Sequence, residues 1–456
     1  MKTRSLVPTI FALALSVSPI HPQSASTLIA APKTDPENLL SAVTRVRGLK
    51  LIANSAPQPP TDAYCRSNFG FPCYGPQEMQ TAYGLESVLN AAYTGAGETI
   101  VIIDSFGSPT IENDLKAFDA GYGLPDPPSF TVLTPLGKVP FDPNNGAQVG
   151  WAFETTLDVE WAHAMAPGAS IVLLTSPINE TQGTQGLPEF LALEQYALSH
   201  HLGQIISQSW GTAENTLFTP QGLQVMNAFQ KVYQQAAGQN VTVLASSGDS
   251  GVSNVDANGQ PFPFPTVLFP ASSPFVTAVG GTTLSADTSG NYQSETTWNN
   301  STGASGGGVS QQFSEPSYQN LLPASVQATL GGHRGIPDVA YNADGNTPVV
   351  IYAGFFPNPK NRGFYVQGGT SAGPPQWAGI IAVANQYAGH PLGFLNPNLY
   401  SLAAGDPQDF HDVTTGNNGF NGLSGYDATP GWDFTTGWGT PIASGLIQQL
   451  ASLSLR

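Results

Sequence analysis

Short apolar runs recur along this chain and alternate with stretches of helical periodicity. The runs cover residues 98–104, 169–174, 205–209, 241–245 and 275–279, and the helical stretches cover 77–91, 155–164, 187–200 and 221–237. Within each run the apolar positions are continuous, which is typical of strands buried on both faces of a parallel sheet. The alternation predicts an α/β fold with a mainly parallel central sheet and helices on both faces.

The N-terminus has a different pattern. Lys2 and Arg4 precede an apolar run at 6–17, and a small-residue stretch follows at 24–26. This is the layout of a secretory signal peptide, which we expect over residues 1–26. The sequence therefore predicts a secreted, extracellular protein.

A short leader follows the predicted signal peptide. Residues 27–73 are rich in Pro, Ser and Ala and have weak periodicity, so we expect them to be loosely structured. The compact pattern starts at residue 74, and we expect one domain over 74–456. Cys65 and Cys73 are the only two cysteines. In an oxidising compartment, two cysteines this close together predict a disulfide.

The amino-acid composition argues against two classes of binding partner. The chain has 31 acidic and 14 basic residues, a net charge of −17, and only 10% charged residues. A surface poor in lysine and arginine argues against nucleic acid and anionic membranes as partners. The 50 glycines and 39 prolines, concentrated after residue 250, predict many loops in the C-terminal half.

A serine flanked by small residues is the main candidate for chemistry. Gly-Gly-Thr-Ser-Ala at 368–372 precedes an apolar run at 377–383, which predicts a loop that opens a buried helix. Ser371 then lies at a helix N-terminus, where N–H groups can stabilise a developing oxyanion. A serine nucleophile needs a base, and none of the seven histidines lies in a recognisable partner motif.

Carboxylates can replace the missing histidine. Glu154 and Asp158 are four residues apart and share a helix face, where a partly buried pair can share a proton. The alternative is a solvated acidic helix face. Asp249 follows the run that ends at Ala245, and catalytic groups gather beyond the carboxyl ends of parallel strands. Its alternative is a turn aspartate that binds its own backbone.

Seven segments in sequence order resemble the sedolisin family, the serine-carboxyl peptidases with a subtilisin-like fold. The segments are 153–158 (FETTLD), 207–211 (SQSWG), 247–251 (SGDSG), 269–274 (FPASSP), 305–310 (SGGGVS), 334–339 (RGIPDV) and 368–372 (GGTSA). The resemblance runs from about residue 74 to the end of the chain. It implies a subtilisin-like fold and a C-terminal calcium-binding loop region.

The resemblance implies a role for each candidate residue. Ser371 is the nucleophile that forms an acyl-enzyme, Glu154 is the general base and later the general acid, and Asp158 orients Glu154. Asp249 and the N–H of Ser371 form the oxyanion hole. A carboxylate base suits acid, since the pKa of a model Glu is about 4.3. Asp249 can donate to an oxyanion only while protonated, which also favours low pH.

Two C-terminal loops contain a pattern of metal ligands. Asp412 and Asp433 combine with backbone carbonyls in glycine-rich loops, and such hard oxygen ligands suit Ca²⁺ rather than zinc. The resemblance implies one calcium ion, bound by both aspartates and by the carbonyls of Val413, Thr429 and Gly431. Thr429 departs from the family, which commonly has glycine there.

The resemblance also implies a substrate-binding segment. Ser209, Trp210 and Gly211 match the segment that pairs with substrate backbone as an added strand. Trp210 has the alternative of a core position, and the glycines at 306–308 fit either a flexible loop or a close backbone approach. We expect polypeptide substrates, no nucleic-acid or membrane partner, and a monomer. Endopeptidase action and tripeptide release both remain open.

Two other functions compete with this prediction. In a neutral subtilisin-type Ser-His-Asp peptidase, Asp104 would be the aspartate, but Glu154 occupies the place of the histidine. We expect His163 to be packed late in its helix and Asp104 to be structural or a substrate-side acid. The second competitor is a catalytically silent secreted binding relative, although all four catalytic candidates are present. The leader is shorter than the large folded propeptide usual in the family.

Overall fold

The strands predicted from the sequence form one central sheet. The structure, a computed structural model, describes residues 47–54 and 58–453, so the predicted signal peptide lies outside the described residues. Its strands are β1 (Arg47–Asn54), β2 (Thr99–Ser105), β3 (Phe130–Leu133), β4 (Ser170–Ser176), β5 (Ile205–Gln208), β6 (Thr212–Ala213), β7 (Thr242–Ser246), β8 (Leu268–Phe269), β9 (Thr277–Ala286), β10 (Tyr292–Thr297), β11 (Asn299–Asn300), β12 (Gly303–Ala304), β13 (Gly308–Ser314), β14 (His333–Ile336), β15 (Val339–Asn342), β16 (Val349–Ala353), β17 (Gly363–Gly368), β18 (Phe410–His411) and β19 (Thr440–Pro441).

The strand order gives the fold its topology. The central sheet has the order β10–β9–β7–β5–β2–β4–β3, and β15 also pairs with β9. The pairs are parallel except that of β10 with β9. This confirms the predicted mainly parallel sheet.

The helices are α1 (Asp62–Phe69), α2 (Pro76–Ala82), α3 (Glu86–Asn90), α4 (Ile111–Tyr122), α5 (Gly146–Met165), α6 (Leu187–Ser199), α7 (Pro220–Gly238), α8 (Ala324–Leu330), α9 (Gly373–Ala388), α10 (Asn396–Gly405) and α11 (Ala443–Leu453). The helix expected over 77–91 is instead two short helices, because Gly84 takes a left-handed φ of 68° between them. The helix expected from residue 155 begins nine residues earlier, where the side chain of Asn145 caps α5. None of the described helices is long and apolar enough to cross a bilayer.

Strand β2 shows why the apolar runs are continuous. Ile100 and Ile102 belong to one hydrophobic core, and Val101 and Ile103 belong to a second. Since successive side chains of a strand point to opposite faces, the sheet is buried on both sides. A strand that is buried on both faces has apolar residues at every position, so its sequence does not alternate between apolar and polar residues.

The two cores contain different helices. Helices α5 and α9 contribute to the first core, and α6 and α7 contribute to the second. Gly379 lets α9 approach α5 closely, because a Cβ at this position would collide with the side chain of Met165. Helices therefore cover both faces of the sheet, as the sequence predicts.

The leader is more ordered in its described part than the sequence suggests. Strand β1 pairs antiparallel with β17. Ile52 packs with the Cys65–Cys73 disulfide, which confirms the predicted pairing of the two cysteines. Short-range periodicity is weak in this segment because its order depends on a distant strand and on a covalent link. The domain boundary at residue 74 stays a prediction.

Candidate active site

Ser371 lies in the turn that joins a strand to a buried helix. Strand β17 ends at Gly368, a 3-10 turn covers Thr370–Ala372, and α9 follows from Gly373. Gly369 has a φ of 116°, and a Cβ there would lie 2.9 Å from Oδ2 of Asp249. Both the backbone angle and the space therefore require glycine beside the serine. The predicted loop before a buried helix is what the structure shows.

Helix α5 places two carboxylates inside the protein. Glu154 is 2% exposed and Asp158 is fully buried. The helix is buried along nearly its whole length and packs against β2 and α9. The alternative of a solvated acidic face is therefore wrong for this pair. Two carboxyl groups one turn apart in a buried helix cannot both ionise without a large free-energy cost.

Ser209 links the buried carboxylates to the turn that carries Ser371. Its Oγ donates to Oδ1 of Asp158 at 2.9 Å and lies 3.2 Å from the backbone carbonyl oxygen of Ser371. Ser209 directly follows β5, at the carboxyl end of a central strand. The sequence predicted this residue as a contact for substrate, and the structure adds a contact with the catalytic candidates.

Asp104 is a third buried carboxyl in this network. It ends the apolar run of β2 and shares a side-chain hydrogen bond with Asp158. The pKa of Asp158 lies well above its ordinary value, first because of burial and then because of the negative charges of Asp104 and Glu154. The sequence predicts Asp104 only as a structural residue or a substrate-side acid. The available signal was its place at the carboxyl end of a central strand.

Asp249 lies on the other side of the turn that carries Ser371. Its Oδ1 accepts hydrogen bonds from the backbone N–H of Thr370 at 2.8 Å and from the Thr370 hydroxyl at 2.7 Å. Its Oδ2 lies 3.5 Å from Nε of Arg47. The alternative of a turn aspartate that binds only its own backbone does not describe these contacts, since they reach a segment 121 residues away.

The candidates converge on one cleft of about 150 Å³. Its lining includes Ser371, Glu154, Asp249, Ser209 and Gly211. No histidine of residues 47–54 and 58–453 lines this cleft. The arrangement can position a peptide carbonyl between a serine hydroxyl and hydrogen-bond donors at a helix N-terminus.

Trp210 contributes to the cleft from a core position. The residue is 2% exposed, and its ring stacks on Phe190 with centroids 4.3 Å apart and planes 9° apart. The ring therefore packs in the protein interior, as the sequence alternative allowed. Its backbone remains in the segment that borders the cleft.

Of the glycines at 306–308, Gly306 and Gly307 lie against other backbone segments, and Gly308 lies against the side chains of Tyr426 and Val267. A Cβ at Gly306 would collide with the carbonyl of Ser247, and one at Gly307 with the carbonyl of Phe434. The sequence allowed either a flexible loop or a close backbone approach here, and the structure shows the close approach at Gly306 and Gly307. This contact supports the loop that carries Asp249.

His163 is packed inside helix α5 as expected. Its Nε2 lies 2.8 Å from the carbonyl oxygen of Pro125 and 3.4 Å from Oδ1 of Asp119. Burial lowers the pKa of His163 to about 4. It does not line the cleft that contains Ser371. A Ser-His-Asp arrangement with this histidine is therefore absent.

The predicted calcium ligands come together in two loops. The N–H of Gly431 donates to Oδ2 of Asp412 at 2.9 Å, and the N–H of Thr429 donates to Oδ2 of Asp433 at 2.9 Å. Val413 is buried beside Asp412. Within the described residues no group of three or more His, Cys, Asp or Glu side chains gathers as a metal site. An ion here would depend on two carboxylates and on backbone carbonyls.

Comparisons with known proteins find relatives over most of the chain. The sequence profile of the subtilase family matches residues 143–426. The chain is 38% identical over 386 residues to kumamolisin from a Bacillus species, covering 83% of this chain and 63% of kumamolisin. It is 33% identical over 358 residues to sedolisin from a Pseudomonas species, covering 76% of this chain and 56% of that protein. The chain thus spans about three-fifths of these relatives' length.

This chain covers a larger share of one solved structure than it does of these two relatives. Pseudomonas sedolisin, a serine-carboxyl proteinase complexed with two molecules of pseudo-iodotyrostatin, superposes with a TM-score of 0.69 at 31% identity. The match covers 84% of this chain and 99% of that one. The fold of this chain, with its central parallel sheet, is therefore a known architecture.

Proposed function

Because this chain belongs to the sedolisin family, we propose that it is a secreted serine-carboxyl peptidase that cleaves polypeptides in acid. The observation that carries the proposal is the convergence of Ser371, Glu154 and Asp249 on one cleft, with Asp158 one helical turn from Glu154. The cleft offers a nucleophile and a carboxylate base, and its lining has no histidine among the described residues.

Acylation follows from these positions. The Glu154 carboxylate takes the proton of the Ser371 hydroxyl as Oγ attacks the carbonyl carbon of the scissile peptide bond. The oxyanion that forms accepts hydrogen bonds from the N–H of Ser371 and from the protonated carboxyl of Asp249. Glu154 then gives its proton to the leaving amine as the C–N bond breaks, which leaves an acyl-enzyme on Ser371.

Deacylation reverses the roles. Glu154 takes a proton from water as the water oxygen attacks the acyl carbon. The second oxyanion occupies the same hole, and its collapse breaks the ester bond. Glu154 returns its proton to the Ser371 oxygen, and the carboxylic acid product leaves. The serine and the base are restored.

The buried carboxyls make this chemistry an acid process. Burial and the neighbouring carboxyls raise the pKa of Asp158, so this group is protonated in acid and adds no second charge beside Glu154. A protonated Asp158 can donate a hydrogen bond that orients the Glu154 anion. Asp249 donates to the oxyanion only while its carboxyl carries a proton.

The substrate is an extended polypeptide. The segment of Ser209, Trp210 and Gly211 borders the cleft and offers backbone groups for strand pairing. Pairing through the main chain positions the scissile carbonyl beside Ser371 without reading the sequence of the peptide. The surrounding side chains then set the preference for particular residues. The enzyme acts as an extracellular monomer.

One calcium ion completes the proposed enzyme. The side-chain oxygens of Asp412 and Asp433 and the carbonyls of Val413, Thr429 and Gly431 form a donor set of hard oxygens, which fits Ca²⁺. Asp433 accepts hydrogen bonds from Thr435 and Thr436 through Oδ1 and from the N–H of Thr429 through Oδ2, so Oδ2 is the less occupied of its two oxygens. The ion would hold the two loops together and would take no part in bond cleavage.

Digestion of casein tests the proposed function. The purified full chain is expected to release peptides at acid pH and to do so poorly at neutral pH. Ser371→Ala is expected to abolish release, whereas Ser325→Ala, an exposed helical serine, is expected to leave it unchanged. Undiminished digestion by Ser371→Ala would contradict the nucleophile assignment, and the absence of any acid digestion by the wild type would favour a silent binding relative.

A further inference from the structure

A hairpin beside the catalytic cleft presents aromatic rings to solvent. It covers residues 252–266, which we call the aromatic hairpin. The N–H of Thr266 donates to the carbonyl oxygen of Val252 at 3.1 Å, and the N–H of Phe262 donates to the carbonyl oxygen of Asn254 at 3.0 Å. These hydrogen bonds hold the two arms of the hairpin together.

The arms of the hairpin are attached to the wall of the cleft. Asn254 lines the cleft, and so does Leu268, which lies two residues beyond the hairpin. The side-chain amide of Asn254 donates to the carbonyl oxygen of Thr266 at 3.0 Å and to its hydroxyl oxygen at 3.1 Å. A Cβ at Gly248 would lie 2.6 Å from Cδ1 of Leu268, so the leucine packs against the segment that carries Asp249. The surface of the hairpin therefore continues from the cleft wall.

The outer part of the hairpin is uncharged and carries two aromatic rings. Residues 257–265 (ANGQPFPFP) include no acidic or basic side chain. Phe264 is 40% exposed and Phe262 is half-buried, and their ring centroids lie 5.5 Å apart. Single exposed apolar residues are ordinary on a protein surface, whereas adjacent ones beside a cleft mark a site of interaction.

Prolines restrict the backbone around the two rings. Pro261, Pro263 and Pro265 alternate with the phenylalanines. Each proline fixes its own φ and removes an N–H donor. The segment therefore has little conformational freedom to lose when a ligand binds, and it offers few backbone donors for strand pairing. Contacts with this surface must come mainly from side chains.

The cleft alone is too small to hold a polypeptide. Its volume is about 150 Å³, whereas pockets that enclose a small ligand have roughly 300–1,000 Å³. Most of an extended substrate therefore lies on the surfaces around the cleft. Phe264 is four residues from Leu268, which places it at most about 14 Å from the cleft lining. An extended peptide rises about 3.3 Å per residue, so side chains within about four residues of the cleft can reach the rings.

We propose that the aromatic hairpin is a second substrate-binding surface, which selects polypeptides with apolar side chains a few residues from the scissile bond. The inference rests on the proposed function, since it names the substrate preference of the same cleft. An apolar side chain that packs on Phe264 removes apolar area from water on both partners, whereas a serine side chain gains little there. The surface lowers KM for apolar substrates and leaves the bond-breaking step unchanged.

Phe264→Ser tests the surface with two internally quenched peptides. The peptides share the residues next to the scissile bond and differ at the third and fourth positions on each side, where one carries leucine and the other serine. Mass spectrometry of the products confirms that both are cleaved at the same bond. Phe264→Ser is expected to raise KM for the leucine peptide about three- to tenfold with kcat unchanged, and to change KM for the serine peptide less than about twofold. Phe264→Trp, which keeps an aromatic surface, is expected to retain the wild-type preference.

Tyr387→Ser is the matched control. Tyr387 is 38% exposed, and its ring centroid lies 4.7 Å from that of Tyr93, so it resembles Phe264 in exposure and in having a ring neighbour. It lies at the C-terminal end of α9, whereas Ser371 precedes the N-terminal end of that helix. The control is expected to leave both KM values unchanged, and thermal melting confirms that each variant is folded.

Two results would overturn the proposal. The first is a Phe264→Ser protein whose KM values for the two peptides are both unchanged or both raised by the same factor. The second is a wild-type dimer that dissociates in Phe264→Ser while the kinetics stay the same, because the rings would then bind a second copy of the chain.

A binding measurement separates this proposal from the proposed function. In a Ser371→Ala background, fluorescence anisotropy is expected to show that Phe264→Ser weakens binding of the leucine peptide about three- to tenfold, since binding does not require cleavage. Equal affinities with and without Phe264 would overturn the surface. A fully active Ser371→Ala protein would instead overturn the proposed function, so the two failures are distinguishable.

Discussion

The hydroxyl of Ser209 donates to Oδ1 of Asp158 at 2.9 Å, and the Ser209 hydroxyl oxygen also lies 3.2 Å from the backbone carbonyl oxygen of Ser371. One side chain therefore contacts both the buried carboxyl and the turn that carries Ser371. This contact fixes the distance between helix α5 and the turn before α9. Its removal should disturb the chemistry more than the fold.

Ser209→Ala is expected to lower kcat about 10- to 100-fold with a smaller change in KM, because a buried hydrogen bond to an acidic group is lost. Steady-state kinetics at the acid optimum measure the effect. Thr242→Val is the control, since the Thr242 hydroxyl makes a buried hydrogen bond to the carbonyl of Gly393 away from the cleft. The control should lose stability and keep kcat. Equal kinetic losses in both variants would show that the Ser209 contact is merely structural.

Asp158→Asn is expected to separate activity from stability. The pKa of Asp158 is raised in the folded state, so the folded protein binds this proton more tightly than the unfolded chain. Stability from this group is therefore present in acid and lost as the pH rises above the unfolded value of about 3.9. Asparagine does not titrate, and the variant should gain melting temperature at pH 7 but not at pH 3.

The same variant should lose about 10²- to 10⁴-fold in kcat, since asparagine cannot share a proton with Glu154. Melting curves at the two pH values and initial rates in acid provide both readings. A variant that is fully active, or that is less stable than the wild type at pH 7, would contradict the place of Asp158 in the carboxyl network.

Stability of the whole protein is expected to be highest in acid. Burial raises the pKa of Asp114 to about 7, of Asp119 to about 8 and of Glu295 to about 7. Each group makes folding less favourable as the pH rises from about 4 toward these values. Burial lowers the pKa of His163 and of His411 to about 4, which costs stability as the pH falls from about 6.5 to 4.

Melting temperature measured from pH 3 to 8 tests this balance. The carboxyls outnumber the histidines, so the melting temperature should fall between pH 5 and 8. Asp119→Asn should flatten that fall. Asp287→Asn should not flatten the fall. Hydrogen bonds from Asn291 and from backbone N–H groups lower the pKa of Asp287, so this group makes folding more favourable as the pH rises. A melting temperature that rises steadily to pH 8 would contradict the prediction.

Calcium is expected to stabilise the C-terminal loops. Removal of the ion with a chelator should lower the melting temperature, and added Ca²⁺ should restore it in proportion to the logarithm of its concentration. Asp412→Asn should abolish the restoration. Asp427→Asn, an exposed neighbour outside the proposed ligand set, should retain it. If titration calorimetry finds no calcium binding to the folded protein, the proposed calcium site is wrong.

The sequence predicted the parts of the site that depend on local pattern. The continuous apolar run of β2 required burial on both faces, and the small residues around Ser371 required a turn before a buried helix. Helical spacing alone placed Glu154 and Asp158 on one face. Whether that face was buried depended on the packing of α5 against α9 and β2.

The parts that were missed depend on long-range contacts. Asp104 joins the carboxyl network because β2 ends beside α5, a neighbourhood that no local period encodes. Arg47 lies in a segment with weak periodicity and reaches Asp249 only because β1 pairs with β17, more than 300 residues away. Such contacts follow from topology, and single-sequence patterns do not contain them.

The central claim is that a carboxylate, Glu154, activates Ser371. The most direct measurement is the pH dependence of kcat/KM for the wild type and for Glu154→Gln, over pH 2 to 8. If Glu154 is the base, the wild-type profile is bell-shaped with its maximum in acid, and Glu154→Gln loses at least about 10³-fold in kcat/KM across that range. A wild-type rate that keeps rising to pH 8, or a Glu154→Gln protein with near-normal activity, would contradict it.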